Sequence, residues 1–212
     1  VTIVGATSGD TGGAAIEAFR GREHCDVFIL YPQGKVSDVQ RLQMTGVDDP
    51  NVHALAIEGN FDDCQALVKA MFNHHAFRDD VALSGVNSIN WGRIMAQIVY
   101  YFTASLALGG PDRAVSFSVP TGNFGDIFAG YAAKRMGLNI DKLLIATNSN
   151  DILARTLESG RYETSGVHAT TSPSMDIQVS SNFERLLFEA GERDSDKVGR
   201  FMSSLSQSGA FT

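Results

Sequence analysis

Apolar positions fall along this chain in two rhythms. Short runs at residues 1–4 (VTIV), 26–32 (DVFILYP), 51–57 (NVHALAI), 81–86 (VALSGV), 115–119 (VSFSV) and 143–147 (LLIAT) predict buried strands. Between them lie stretches with helical spacing, at 14–19, 37–44, 62–72, 90–108, 127–136 and 151–159. In the 62–72 stretch Ala66, Leu67, Ala70 and Met71 share one face. The 90–108 stretch is apolar enough to predict a largely buried helix. Turns are expected at 33–34 and 111–112. Strand alternating with helix predicts a parallel α/β architecture. The alternation weakens after Tyr162. Residues 167–177 have no period and are expected to form a loop. Ser181 and Glu184 have capping-box spacing for a helix through Ala190, and 194–205 predicts one more.

Two strand-to-helix junctions are rich in glycine. The first is GATSGDTGG, from Gly5 to Gly13; the second is VPTGNFGD, from Val119 to Asp126. Such a junction leaves backbone N–H groups unpaired at the positive end of a helix dipole, which suits a carboxylate or phosphate. Gly9 and Gly12 in the first, and Gly122 and Gly125 in the second, let a ligand approach the backbone. Ser8, Asp10 and Thr11 add polar side chains. A junction of this kind can equally be a tight connection and nothing more. Two in one chain suggest a ligand with two anionic groups.

A third stretch, Asn87-Ser88-Ile89-Asn90-Trp91-Gly92-Arg93, runs on to Gln97. At about 100° per residue, Asn90, Arg93 and Gln97 share one helical face. Polar groups there line a cavity, or else Asn90 caps the helix and Arg93 snorkels to water.

Composition narrows the classes. The chain has 212 residues, a hydrophobic content of 43% and a net charge of −7, which fits one large domain or two small ones with an ordinary core. No Lys/Arg cluster appears, which argues against nucleic acid or an anionic membrane as main partner. No run is long enough to span a bilayer as a helix. Cys25 and Cys64 lack any paired spacing and read as reduced thiols of a cytoplasmic protein. The five histidines (His24, His53, His74, His75, His168) have no metal-ligand spacing, and no metal is expected. His74 and His75 read as the solvated end of a helix. The chain opens without Met and inside a strand, so it reads as a piece of a longer protein.

Hydride transfer is the first chemistry to weigh, because GATSGDTG after a strand resembles the glycine turn of short-chain dehydrogenases and Tyr31-Pro-Gln-Gly-Lys35 matches a Tyr-x-x-x-Lys pattern. The Tyr/Lys pair needs a helix to bring both side chains to one face, and Pro32 with Gly34 breaks a helix. The second strand also ends without an acid for the ribose hydroxyls.

The pieces GATSGDTGGAAI, LYPQGKVSDVQRLQM, IEGNFDDCQALVK, NSINWGRIMAQIVYYF, VPTGNFGDIFAG, ATNSNDILAR and SPSMDI together resemble the threonine synthases. These are pyridoxal-phosphate enzymes of the tryptophan-synthase β-like fold, fold type II. The resemblance implies three-layer α/β structure with parallel sheets in two lobes, incomplete in this chain. Residues 1–86 would form most of a small mobile domain and 87–212 part of a large cofactor-binding one, with the ligand between lobes. It implies conversion of O-phosphohomoserine and water to threonine and phosphate. Gly122, Asn123, Phe124, Gly125 and Asp126 would cradle the cofactor phosphate. Ser8, Gly9, Asp10 and Thr11 would hold the substrate α-carboxylate, with Asp10 also approaching the cofactor ring. Ser88, Asn90 and Arg93 are candidates for the substrate phosphate, and Lys35 is a weaker one. Asp176 lies in a family-like loop and receives no role.

One departure stands out. The family's Schiff-base lysine lies upstream of the TSGDTG stretch, in a Phe-Lys-Asp context that this chain lacks, and the segment facing the pyridine nitrogen lies beyond Thr212. No catalytic residue is therefore expected among Lys35, Lys69, Lys134, Lys142 and Lys197, and the chain alone is expected to be inactive. Lys69 and Lys134 would face water on helices, and Lys142 would sit in a loop before a strand. Other enzymes of the same fold, such as a threonine dehydratase or a cysteine synthase, and a catalytically dead binder of amino-acid phosphates, are the alternatives.

Overall fold

The computed structural model describes residues 1–87 and 89–212, and the chain divides into two compact units, Val1–Asn87 and Ser88–Thr212. Ser88, a sequence candidate for the substrate phosphate, lies outside the described residues.

The first unit runs β1 (Thr2–Ala6), α1 (Asp10–Phe19), β2 (Asp26–Pro32), α2 (Asp38–Thr45), β3 (Val52–Ile57), α3 (Phe61–Asn73), α4 (His75–Asp80) and β4 (Leu83–Gly85). Its four strands form one parallel sheet in the order β3-β2-β1-β4. Alternation along the strands makes two cores. Ile3, Val27, Ile29 and Tyr31 face α1 and α2, packing on Ala15, Ile16 and Met44. Val4 and Leu30 face α3, packing on Cys64. The result is three layers, helices on both faces of a sheet. β2 and β3 lie on one side of β1 and β4 on the other, so the carboxyl end of β1 opens at a topological switch point.

Reciprocal capping boxes start two of the helices, Ser37 with Gln40 at α2 and Asn60 with Asp63 at α3. One expectation needs correction here. Of the predicted apolar face of α3, Met71 packs on the core but Ala66, Leu67 and Ala70 are exposed; the covered side centres on fully buried Cys64, with Val68, Met71 and Phe72 beside it. His74 and His75 are exposed at the end of α3, as expected; His74 Nδ1 also accepts from Phe77 N and caps α4, a helix the periodicity did not separate.

The second unit contains α5 (Trp91–Ala107), β5 (Val115–Pro120), α6 (Gly125–Arg135), β6 (Ile140–Ala146), α7 (Ile152–Ser159), β7 (Tyr162–Glu163), a 3₁₀ turn at Pro173–Met175, α8 (Phe183–Ala190), α9 (Ser195–Ser208) and β8 (Ala210–Phe211). β5 and β6 are parallel; β7 and β8 form an antiparallel pair that the alternation did not predict. The core gathers around α6, where Ile127, Phe128, Ala129 and Ala133 meet Ile94, Tyr101, Ile152 and Leu153. Tyr162 stacks on Phe211 and Phe183 with ring centroids 4.9 and 5.6 Å apart.

Here too the pattern misled in places. Helix α5 buries only Ile94, Tyr101 and Ser105, while Met95, Val99 and Tyr100 are exposed. Its uniform apolarity did not reveal which stripe would be covered. β6 begins earlier than expected because buried Ile140 pairs with Val115, which puts Lys142 in a strand rather than a loop. Helix α8 begins after Asn182, not Ser181, whose hydroxyl instead faces Asn123 Oδ1 at 3.4 Å.

Candidate functional site

In the first unit, the loop after β1 is built around Thr7. This side chain is 2% exposed, and its Oγ1 accepts from the N–H groups of Gly9 and Gly12, each at 2.9 Å. One hydroxyl thus satisfies two donors of the α1 start that would otherwise be buried unpaired. Gly9 has φ 141°, open only to glycine, and a Cβ there would run into the Gln40 side chain. Gln40 Nε2 donates to Asp10 Oδ1 at 2.8 Å, so α2 holds the Asp10 carboxylate in place. Gly12 is equally confined: a Cβ would lie 2.6 to 2.8 Å from Thr7, Ile29 and Met44. Ser8 and Thr11 are half-buried beside this stapled turn. Lys35 is exposed in the turn after β2, where Gly34 takes φ 68°.

In the second unit, the loop after β5 is anchored by Thr121, whose N–H donates to Ala146 O at 2.8 Å. Phe124 takes the left-handed conformation at φ 66° and ψ 1°, uncommon for an aromatic residue, and is the N-cap of α6. Its ring is held edge-on against Phe183 at 5.2 Å. Among the described residues, no acceptor meets the backbone N–H of Gly122, Asn123, Phe124 or Gly125. Successive unmet N–H groups around a left-handed residue at a helix start form a concave donor set suited to a phosphate. The residues present therefore fit a phosphate-bearing cofactor. Asp126 is in the first turn of α6; its Oδ1 accepts from Ile127 N at 2.8 Å, and burial holds its carboxyl above the ordinary value. Tyr101 donates to Asp126 O at 2.7 Å, and burial, then the Asp126 charge, push its phenol up.

The third candidate stretch opens α5. Asn90 is the cap: its Oδ1 accepts from Gly92 N at 2.8 Å. Arg93 is half-buried, and that burial pulls its guanidinium below the ordinary value. Arg185 spans this stretch and α8; it donates to Ile89 O at 2.8 Å and lies over the Trp91 ring at 5.5 Å.

Two groups of residues that hold these loops escaped sequence reading. Thr7 and Gln40 hold the first loop. Ser180 and Asn182 reach the second: Ser180 Oγ donates to Gly122 O at 2.7 Å, and Asn182 N and Nδ2 both donate to Asn123 O at 3.0 Å. Asp176 gains a role as well. Its Oδ1 accepts from Asn148 at 2.8 Å, Asn150 at 3.0 Å and Thr170 Oγ1 at 2.7 Å, tying the irregular 164–182 segment to the turn after β6.

A family model described as pyridoxal-phosphate dependent enzyme matches residues 1–202. The chain is 57% identical over 209 residues to a threonine synthase of Pseudomonas aeruginosa, covering 99% of this chain and 45% of that protein. A Saccharomyces cerevisiae threonine synthase is 58% identical over 191 residues, covering 89% of this chain and 37% of the relative. Among solved structures, a pyridoxal-phosphate-bound threonine synthase from Brucella melitensis matches with a TM-score of 0.90 and 72% identity, over 100% of this chain and 46% of that one. The chain therefore spans less than half the length of these relatives. Maize serine racemase, at 18% identity and a TM-score of 0.61 over 82% of this chain and 49% of that one, shares the fold.

Proposed function

The chain belongs to the pyridoxal-phosphate-dependent enzyme family, and from that premise we propose that it is the part of a threonine synthase that carries the cofactor-phosphate cradle and the substrate-carboxylate loop. The α/β architecture is that of the fold type II enzymes of that family. The reaction proposed is O-phosphohomoserine plus water to threonine plus phosphate. The observation that carries the cofactor reading is the row of unmet N–H groups from Gly122 to Gly125; the identities to threonine synthases carry the choice of reaction.

When bound, pyridoxal phosphate supplies an electron sink for carbon–hydrogen bond breaking next to the amino group. The residues of this chain bind and orient. Gly122 to Gly125 donate to the cofactor phosphate, with the α6 dipole behind them and Asp126 closing the turn. Ser8 and Thr11 offer hydroxyls, and Gly9 and Asp10 the start of α1, to the substrate α-carboxylate. Arg93 supplies a charge-assisted contact to the substrate phosphate; Asn90, whose oxygen caps α5, keeps its amide nitrogen for the same anion, and Ser88 is assigned with them. None of the five lysines is assigned a catalytic role. All are exposed, and Lys134 Nζ is occupied by Asp141 O at 3.0 Å. The reacting lysine is thus assigned outside residues 1–212, and this stretch alone is expected to be inactive. The unpaired Cys25 and Cys64 fit a cytoplasmic setting.

The test is to offer the full-length protein O-phosphohomoserine, serine and threonine separately. Release of phosphate with equimolar threonine supports the reading. Turnover of serine or threonine alone points to a dehydratase or synthase of the same fold, and binding of O-phosphohomoserine without turnover to a dead binder. In the active protein, Arg93→Ala should lower kcat/KM for O-phosphohomoserine by about 2–5 kcal/mol if the contact is desolvated. An unchanged kcat/KM would make Arg93 structural.

A further inference from the structure

The Gly122–Asp126 turn does not hold itself. Its carbonyls are taken up by a segment 58 residues further along the chain. Ser180 Oγ donates to Gly122 O at 2.7 Å, and Asn182 donates twice to Asn123 O, from N and from Nδ2, both at 3.0 Å. Both clamping residues are buried, Ser180 5% exposed and Asn182 0%. They are themselves fixed. Ser180 N donates to the hydroxyl of buried Tyr162 at 2.9 Å. Arg185 Nε donates to Asn182 Oδ1 at 3.1 Å, which assigns that oxygen and leaves Nδ2 to face Asn123 O.

A planar trans peptide links these contacts to the ligand. Within one peptide unit the C=O and N–H point in opposite directions. Holding Gly122 O therefore aims the N–H of Asn123, and holding Asn123 O aims the N–H of Phe124. The next unit is set by α6 itself, because Phe124 O accepts from Phe128 N at 3.1 Å and so aims the N–H of Gly125. Two of the three N–H directions thus depend on residues outside the loop, one through the Ser180 hydroxyl and one through both the backbone and the side chain of Asn182. Left to itself, a residue such as Phe124 would relax away from φ 66° and turn its peptide.

We propose that Ser180 and Asn182 are positioning residues of the cradle, holding the carbonyls of Gly122 and Asn123 so that the intervening N–H groups converge on the cofactor phosphate. The inference rests on the reading of Gly122–Asp126 as the cofactor-phosphate cradle.

The test compares two ligands that differ only in the phosphate, pyridoxal phosphate and pyridoxal, on the full-length protein and on its Ser180→Ala and Asn182→Ala variants, with dissociation constants read from absorbance or fluorescence. The wild type should favour pyridoxal phosphate. Each variant should lose about tenfold in affinity for pyridoxal phosphate, the cost of one buried hydrogen bond or more, while its affinity for pyridoxal stays the same. Ser180→Ala removes a single oxygen, so it keeps the test decisive if Asn182→Ala folds poorly. An unchanged preference, or equal losses for both ligands, would overturn the positioning role and leave the cradle reading intact. A wild type that does not distinguish the two ligands would overturn the cradle reading, and this inference with it.

Discussion

The two glycine-rich turns are built in opposite ways. The Thr7–Gly12 turn is stapled from within, by one hydroxyl that reaches two and five residues ahead. The Gly122–Asp126 turn is clamped from outside, by a segment 58 residues away. The first turn satisfies the N–H groups of Gly9 and Gly12 itself and leaves little room, with the side chains of Thr7, Ile29 and Met44 crowding Gly12. In the second, the carbonyls of Gly122 and Asn123 are satisfied and, among the described residues, the N–H groups of Gly122 to Gly125 are unmet. A self-stapled turn is rigid before anything binds, whereas a clamped turn is only as well aimed as the segment that clamps it.

The largest effect is expected at Gly9. Gly9→Ala forces a Cβ into the Gln40 side chain at a φ that only glycine adopts, and should destabilise by about 4 kcal/mol from backbone strain plus the lost Gln40–Asp10 contact. Next is the staple. Thr7→Val keeps the shape and removes the acceptor for two N–H groups, and should cost about 3 kcal/mol, while Thr7→Ser should cost about 1 kcal/mol or less. Urea midpoints of the full-length variants measure both. Equal midpoints for the Val and Ser variants would show that the staple carries no stability. In the second turn the matching glycine change should be milder. A Cβ at Gly122 would lie 3.1 Å from Ser174 O and 3.2 Å from Met175 Cα, so Gly122→Ala should cost about 1 kcal/mol in stability yet weaken pyridoxal-phosphate binding.

The smallest effect is one of pH. Burial holds the Asp126 carboxyl above its ordinary value, so the folded chain binds that proton more tightly than the unfolded chain. The resulting stabilisation is complete below the unfolded value and is lost as pH rises through the folded one. Asp126→Asn keeps an acceptor for Ile127 N and escapes that loss. Its melting temperature without cofactor should exceed the wild type's by roughly 2 °C at pH 7, with the gain vanishing near pH 3. A gain that persists in acid would remove burial as the cause.

Most of the architecture was legible because it follows from local rhythm: the strands β1, β2 and β5, the helices after them and the two glycine turns all announce themselves within a few residues. The candidate binding loops were legible for the same reason, and the resemblance placed roles on them. What could not be read was whatever the fold brings from a distance. Ser180 and Asn182 carry no signal pointing to Gly122 and Asn123, and the capping-box spacing at Ser181 pointed to a different start for α8. Asp176 had a family-like setting but no partner in view; its anchors, Asn148 and Asn150, lie more than 20 residues before it. Thr7 is the exception among the missed residues, since a threonine just before a Ser-Gly at a helix start has the local geometry of a hydroxyl staple. The exposed stripe of α5 was misjudged because an apolar helix does not name the side that its own unit will cover.

Amide resonances report directly on whether the backbone N–H groups of Gly122–Gly125 receive the cofactor phosphate, as proposed. Full-length protein, freed of cofactor and labelled with ¹⁵N in glycine and phenylalanine, would be titrated with pyridoxal phosphate and then, separately, with pyridoxal. The account predicts downfield shifts of the Gly122, Phe124 and Gly125 amide protons with pyridoxal phosphate that pyridoxal does not reproduce. Amides of Gly122, Phe124 and Gly125 that stay in place while others move would contradict it.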